Sequence, residues 1–230
     1  MPPKCVVRET PDEVASTAAE LVAAQIHSVV EATGECLVAL AGGSTPVQTY
    51  LRLRDLDIDW AKVHFVQTDE RLVADRDARS AAVIESVLGL GSPANPAGWH
   101  PIHVASDGTS AAAAYAQRLT ELRVDAAPDI AVLGLGTDGH TASLFEHNLN
   151  TAVGELVVPT VYQGEQRVSL GLDYLRSIPT RVLLATGQNK QRALELVLSS
   201  DAGRVRVPAA VVLGEDGYVI ADVAATPERD

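Results

Sequence analysis

The chain has 230 residues, 47% of them apolar and only 4% aromatic, enough for one large α/β domain whose core is built from Ala, Val and Leu. Its 18 basic residues stand against 30 acidic ones, and the net charge of −12 argues against nucleic acid or an anionic membrane surface as partner. Cys5 and Cys36 have neither metal-ligand spacing nor the numbers for a disulfide framework, and no signal-peptide or membrane-spanning apolar run is present, so a reducing cytoplasm is expected.

Residues 5–7 read as a first strand. Thr10 then suits an N-cap, with Pro11 at the first helical position and Glu13 closing a capping box. Val14, Ala18, Leu21, Val22, Ile26 and Val29 repeat at helical spacing up to Gly34. A wholly apolar second strand, 36–41, runs into Gly42-Gly43-Ser44-Thr45-Pro46. Paired glycines let a backbone approach a ligand, and Ser44 and Thr45 offer hydroxyls at the positive end of a helix predicted from Pro46, with Thr45 as N-cap and Gln48 completing a box. That is phosphate-binding chemistry without the P-loop lysine, and an ordinary strand–helix turn explains it equally well. A nucleophile elbow is excluded, because Pro46 stands where glycine is needed.

A strand at 63–67 ends in Thr68-Asp69-Glu70-Arg71, more charge than a solvated turn requires, with a surface ion pair as the alternative. A helix is predicted over 79–88 and a proline-rich loop over 92–101. His100 and His103 do not share a helix face, so no metal site is expected there. Asp107 caps an alanine-rich helix running to Leu122.

The chemistry concentrates in the next stretch. Residues 130–133 form a short apolar run that suits a strand buried on both faces, and Gly134, Gly136 and Gly139 follow it. Residues 140–145 read as the start of a helix. The glycines spell a dinucleotide fingerprint, but no acidic residue ends the next strand about 20 residues on, so a nicotinamide cofactor is not expected. Two readings remain. One is a tight turn with His140 as a polar helix-start residue. The other makes His140 an acid–base residue whose ring a helix N-terminus holds neutral. Beyond it, strands at 156–161 and 167–170 are joined as a hairpin by 162–166. A strand at 181–185 leads to Gly187 and a helix carrying Lys190, and strands at 209–213 and 218–221 finish the chain. The alternation implies a single doubly wound, mostly parallel sheet with helices on both faces, Rossmann-like, in one domain spanning 1–230.

Three segments in order, 40–46, 69–71 and 133–145, are similar to the signatures of the 6-phosphogluconolactonase family, which shares its fold with glucosamine-6-phosphate deaminases. The resemblance implies hydrolysis of 6-phospho-D-glucono-1,5-lactone without metal or cofactor. His140 would be the general base beside Asp138, and backbone N–H groups of the glycine turn would hold the oxyanion. Ser44, Thr45, Arg167 and Lys190 match positions that hold the sugar phosphate, Arg71 lies at the pocket mouth, and Gly42, Gly43 and Asp69 complete the substrate-binding set. The chain departs from the family's usual pattern at Ala74, Ala81, Glu146-His147 and 163–166. The deaminase signature carries a glutamate five positions after the histidine. Phe145 stands there, and on a helix Glu146 would be turned away by roughly 100°. A non-catalytic sugar-phosphate module is a third reading, but it would not need His140.

Overall fold

The apolar segments of the chain are too short to fold alone and too apolar to face water, so they stack side by side between layers of helix. The computed structural model describes residues 3–92, 95, 97–105, 107–123, 126–199 and 206–227. Its strands are β1 (Lys4–Arg8), β2 (Cys36–Leu40), β3 (Val63–Gln67), β4 (Asp69–Arg71), β5 (Gly98–His100), β6 (Ile130–Gly134), β7 (Val157–Tyr162), β8 (Glu165–Leu170), β9 (Thr180–Ala185) and β10 (Tyr218–Asp222). Its helices are α1 (Pro11–Thr33), α2 (Ser44–Leu53), α3 (Ser80–Leu88), α4 (Gly108–Leu122), α5 (Leu172–Ser177), α6 (Gln191–Leu198) and α7 (Pro208–Leu213).

Seven strands form one sheet in the order β1-β10-β9-β6-β2-β3-β5, every pair parallel. Both faces are covered, which is why β2 and β6 are buried along their whole apolar length. Side chains alternate between two cores. Val38, Leu40, Ile130 and Val132 pack with α1, α2 and α3, whereas Leu37, Ala39, Ala131 and Leu133 pack with α4, α5, α6 and α7. The chain works outward from β2 through β3 to β5, then returns to lay β6 on the other side of β2. Strand order reverses there, and the connections leaving β2 and β6 diverge to open a crevice at the carboxyl ends. Their register, Leu40 opposite Val132, sets the two glycine-rich loops next to each other.

A second, antiparallel sheet in the order β4-β8-β7 was not visible in the sequence. It hangs from the first by Thr68, whose N–H donates to Leu40 O while its own carbonyl accepts from Leu170 N–H. Asp69-Glu70-Arg71 is therefore a strand in its own right. The predicted hairpin is present but tighter than expected: Gln163 and Gly164 alone turn the chain, with φ of 51° and 80°. Two successive left-handed residues are what a two-residue hairpin needs to match strand twist.

Other expectations are corrected. No α-helix starts at His140. Residues 141–144 form a tight turn with an isolated bridge between Thr141 and Leu144, and a 3-10 segment, Glu146–Ala152, follows. Gly139 at φ 86° and Ala142 at φ 49° break any helical path through this stretch. The helix-end argument for a neutral imidazole falls with it. Residues 209–213 are helix α7 rather than a strand, with Pro208 at its first turn; an apolar run of that length fits either state. Helix α2 begins at Ser44 with Gly43 as N-cap and no side-chain cap, so Thr45 does not cap it. The Thr45 hydroxyl instead bonds that of Thr186 at 2.8 Å. The stretch read as a loop over 92–101 contains β5, with 93, 94 and 96 outside the described residues. The caps of α1 by Thr10 and of α4 by Asp107 are as expected.

Candidate active site

The crevice at the strand reversal is a cleft of about 400 Å³. Gly42, Gly43, Ser44, Thr45, Asp69, Arg71, His140, Arg167 and Lys190 all line it, although they come from five separate connections and strands. Asp138, the tenth residue singled out from the sequence, lies outside this lining and borders an adjoining depression with His140.

Asp138 and His140 are held by the turn that joins them. Asp138 Oδ1 lies 2.5 Å from His140 Nδ1 and also accepts from the His140 backbone N–H at 3.2 Å. An ionised carboxylate only accepts, so the ring proton sits on Nδ1 and Nε2 is left bare. Burial pushes the Asp138 carboxyl up, but the His140 ring hydrogen bond and charge, the His140 backbone N–H and the Tyr162 hydroxyl together hold it below the usual carboxylate range. Gly136 has a specific reason to be glycine, because a Cβ there would stand 2.0 Å from His140 Nδ1. The Gly136 N–H bonds His140 O and the Gly139 N–H bonds Gly136 O, so those two donors are spent inside the turn and are not oxyanion donors.

Arg71, Arg167 and Lys190 also line the cleft. Arg71 and Arg167 stand directly opposite each other across β4 and β8, so two guanidinium side chains share one face of the small sheet. Like charges in that position repel. Glu165 accepts from Arg167 Nη2 at 3.1 Å, yet the buried Arg167 Nε has no partner. Burial lowers the Lys190 pKa, and the Asp138 carboxylate acts against that shift. Lys190 follows Gly187, whose N–H is gripped by both oxygens of the buried Asp222 at 3.0 Å. These features suit the binding of an anion. Asp69 is held within the protein, accepting from Ser143 Oγ at 2.7 Å and Thr68 Oγ1 at 3.0 Å.

Several contributors escaped the sequence reading. Glu70 is completely buried and accepts from the N–H groups of Arg71, Ser80 and Ala81 and from the Gln67 amide. It therefore caps α3 from a distant strand and brings Ser80 into the cleft against Gly42, where a Cβ would lie 2.2 Å from Ser80 Oγ. The charged run was noticed, but a cap ten residues away leaves no local signature. Phe145 packs on the His140 ring at 4.7 Å between centroids and stacks on Tyr162 at 4.0 Å. Glu146 lies outside the lining of the cleft, largely exposed and 3.8 Å from Arg206, and borders an adjoining depression together with Asp138, His140, Phe145, His147 and Tyr162. Among the described residues no group of His, Cys, Asp and Glu is arranged to hold a metal ion, and no helix is long and apolar enough to cross a membrane.

Residues 9–221 match the family described as glucosamine-6-phosphate isomerases/6-phosphogluconolactonase. A 6-phosphogluconolactonase of Rhizobium meliloti is 32% identical over 194 residues, covering 81% of this chain and 83% of the relative. One from Pseudomonas putida is 33% identical, covering 82% and 80%. The crystal structure of a 6-phosphogluconolactonase from Shewanella baltica superposes with a TM-score of 0.85 at 26% identity, over 96% of this chain and 98% of that one.

Proposed function

The chain belongs to the glucosamine-6-phosphate isomerase/6-phosphogluconolactonase family, and on that premise we propose that it hydrolyses 6-phospho-D-glucono-1,5-lactone to 6-phosphogluconate, the lactone-opening step of the oxidative pentose phosphate pathway. The observation that carries this reading is the convergence of His140, backed by Asp138, with Arg71, Arg167 and Lys190 around one cleft in a chain of net charge −12. Three cations and the start of α2 give the 6-phosphate its counter-charge where the global field opposes it.

A δ-lactone is an activated ester, so one base and one positioned water suffice. His140 Nε2 takes a proton as the water oxygen attacks C1. The tetrahedral intermediate then collapses, the C1–ring oxygen bond breaks, and the imidazolium returns its proton to the departing oxygen. Asp138 keeps the ring oriented and balances its charge through both transfers. No covalent enzyme intermediate is needed.

The deaminase reading needs a second acid–base group beside the histidine, and the apolar Phe145 ring lies against it instead. The argument that Glu146 is rotated away on a helix no longer applies, and the expectation rests instead on the Phe145 ring against the imidazole and on the pairing of Glu146 with Arg206. The deciding assay offers purified protein freshly generated 6-phosphogluconolactone, corrected for spontaneous opening, and in parallel glucosamine 6-phosphate. Lactone opening well above the spontaneous rate and no ammonia is the expected result. Ammonia release at a comparable rate, or no acceleration of lactone opening, overturns it.

A further inference from the structure

The pair of Asp138 and His140 does not stand alone at the rim of the cleft. Asp138 has two carboxylate oxygens, and the imidazole uses only Oδ1. The other accepts a hydrogen bond of 3.1 Å from the hydroxyl of Tyr162, at the end of β7. Tyr162 is fixed from two sides. Its ring stacks on Phe145 with 6° between the planes, and the Arg167 guanidinium lies over it, 5.5 Å from the ring centre. The two-residue turn at Gln163 and Gly164 carries the strand no further, so Tyr162 is presented at the tip of the hairpin, level with the glycine turn.

We propose that Tyr162 is a positioning residue for the lactone-opening base, its hydroxyl fixing the Asp138 carboxylate that in turn holds the His140 ring. The inference rests on the lactonase reading for its kinetic consequence, though not for the contact itself. With one oxygen on the imidazole and the other on the phenol, the carboxylate cannot rotate without breaking a hydrogen bond, and the imidazole plane is set by the same restraint. The phenol also draws negative charge toward Oδ2 and so moderates the hold of Oδ1 on the ring N–H. Charged and titratable groups face this carboxylate from His140 in its own turn, Tyr162 on β7 and Lys190 after β9, while Arg167 on β8 acts on the phenol and Glu146 and His147 border the same depression. One aromatic side chain thereby joins the base to an arginine of the anion site.

Two variants separate hydroxyl from ring. Tyr162→Phe keeps the stack on Phe145 and the face under Arg167 and removes only the hydrogen bond. The expected result is a fall in kcat of about three- to tenfold, modest because the contact is solvent-exposed, with KM within about twofold. The acidic limb of the pH–rate profile should move to higher pH, since Oδ1 then holds the imidazolium more strongly. Tyr162→Leu removes the ring as well and should in addition raise KM for the phosphorylated lactone by loosening Arg167. The deciding readout is the titration midpoint of the His140 ring by histidine-selective NMR, which requires no turnover. A midpoint raised in Tyr162→Phe supports the positioning role, and an unmoved midpoint overturns it whatever happens to kcat. If the wild-type protein opened the lactone no faster than water does, the functional reading would fall while the NMR comparison still decided the role of the hydroxyl.

Discussion

At the scale of single residues, the proposed base and the proposed anion-binding cations should respond differently to mutation. Removing the imidazole in His140→Ala takes away the proton acceptor and should lower kcat by roughly 10²–10⁴-fold with a far smaller change in KM. Turnover near wild type would falsify the assignment of His140. Arg167→Ala or Lys190→Ala should instead weaken binding of the phosphorylated lactone and leave an unphosphorylated lactone little affected. Equal losses on both substrates would mark a structural role. These residues were legible because a glycine-rich turn after a buried strand is a strong local signal, and the family resemblance added Arg167 and Lys190. Tyr162 was not legible, because its contact with Asp138 spans 24 positions and depends on where a hairpin ends. Phe145 was noticed only as an absent glutamate, whereas the structure shows it filling the space beside the imidazole.

At the scale of elements, the sequence predicted strands well and erred where length could not decide. Residues 140–145 carry helix-like composition, but positive φ at Gly139 and Ala142 commits them to a turn. Residues 209–213 are an apolar run that suits a buried strand as well as the six-residue helix it forms. The small sheet was missed for a different reason. Its strand β4 has three residues, all charged, and no periodicity can be read from so short a segment. Its middle residue matters for stability. Glu70→Gln keeps the shape of the side chain but leaves one acceptor oxygen where four N–H donors now converge, those of Arg71, Ser80, Ala81 and Gln67. We expect a loss of roughly 2–4 kcal/mol in urea denaturation, the usual cost of breaking a buried charge-assisted network. A loss below about 1 kcal/mol would show that Glu70 is not what pins the start of α3.

At the scale of the molecule, the parallel sheet directs the carboxyl ends of all seven strands to one side, and the site lies at the single reversal of their order, as the alternation of strands and helices implied. The pH response of the fold is expected to come partly from elsewhere. His64 and His100 meet between β3 and β5, with 3.2 Å between His64 Nδ1 and His100 Nε2, and the Arg118 guanidinium donates to His100 Nδ1 at 3.0 Å. Burial first, then Arg118 and His64, lower the His100 pKa to about 4. The unfolded chain takes up this proton near the ordinary value of 6.5 and the folded protein does not, so this contribution is complete above 6.5 and lost as pH falls towards 4. The thermal midpoint should therefore drop across that window more steeply in the wild type than in His100→Gln, and parallel curves would exclude the pair as a source. A different consequence follows from Arg71 opposite Arg167. Two like charges held side by side on the small sheet push β4 and β8 apart, and a phosphate bound between them would turn that repulsion into cohesion. Occupancy then sets durability as well as rate. With saturating 6-phosphogluconate the protein should survive limited proteolysis longer than without it, and Arg71→Ala should shrink the difference, so that the lifetime of each molecule follows the supply of its own ligand.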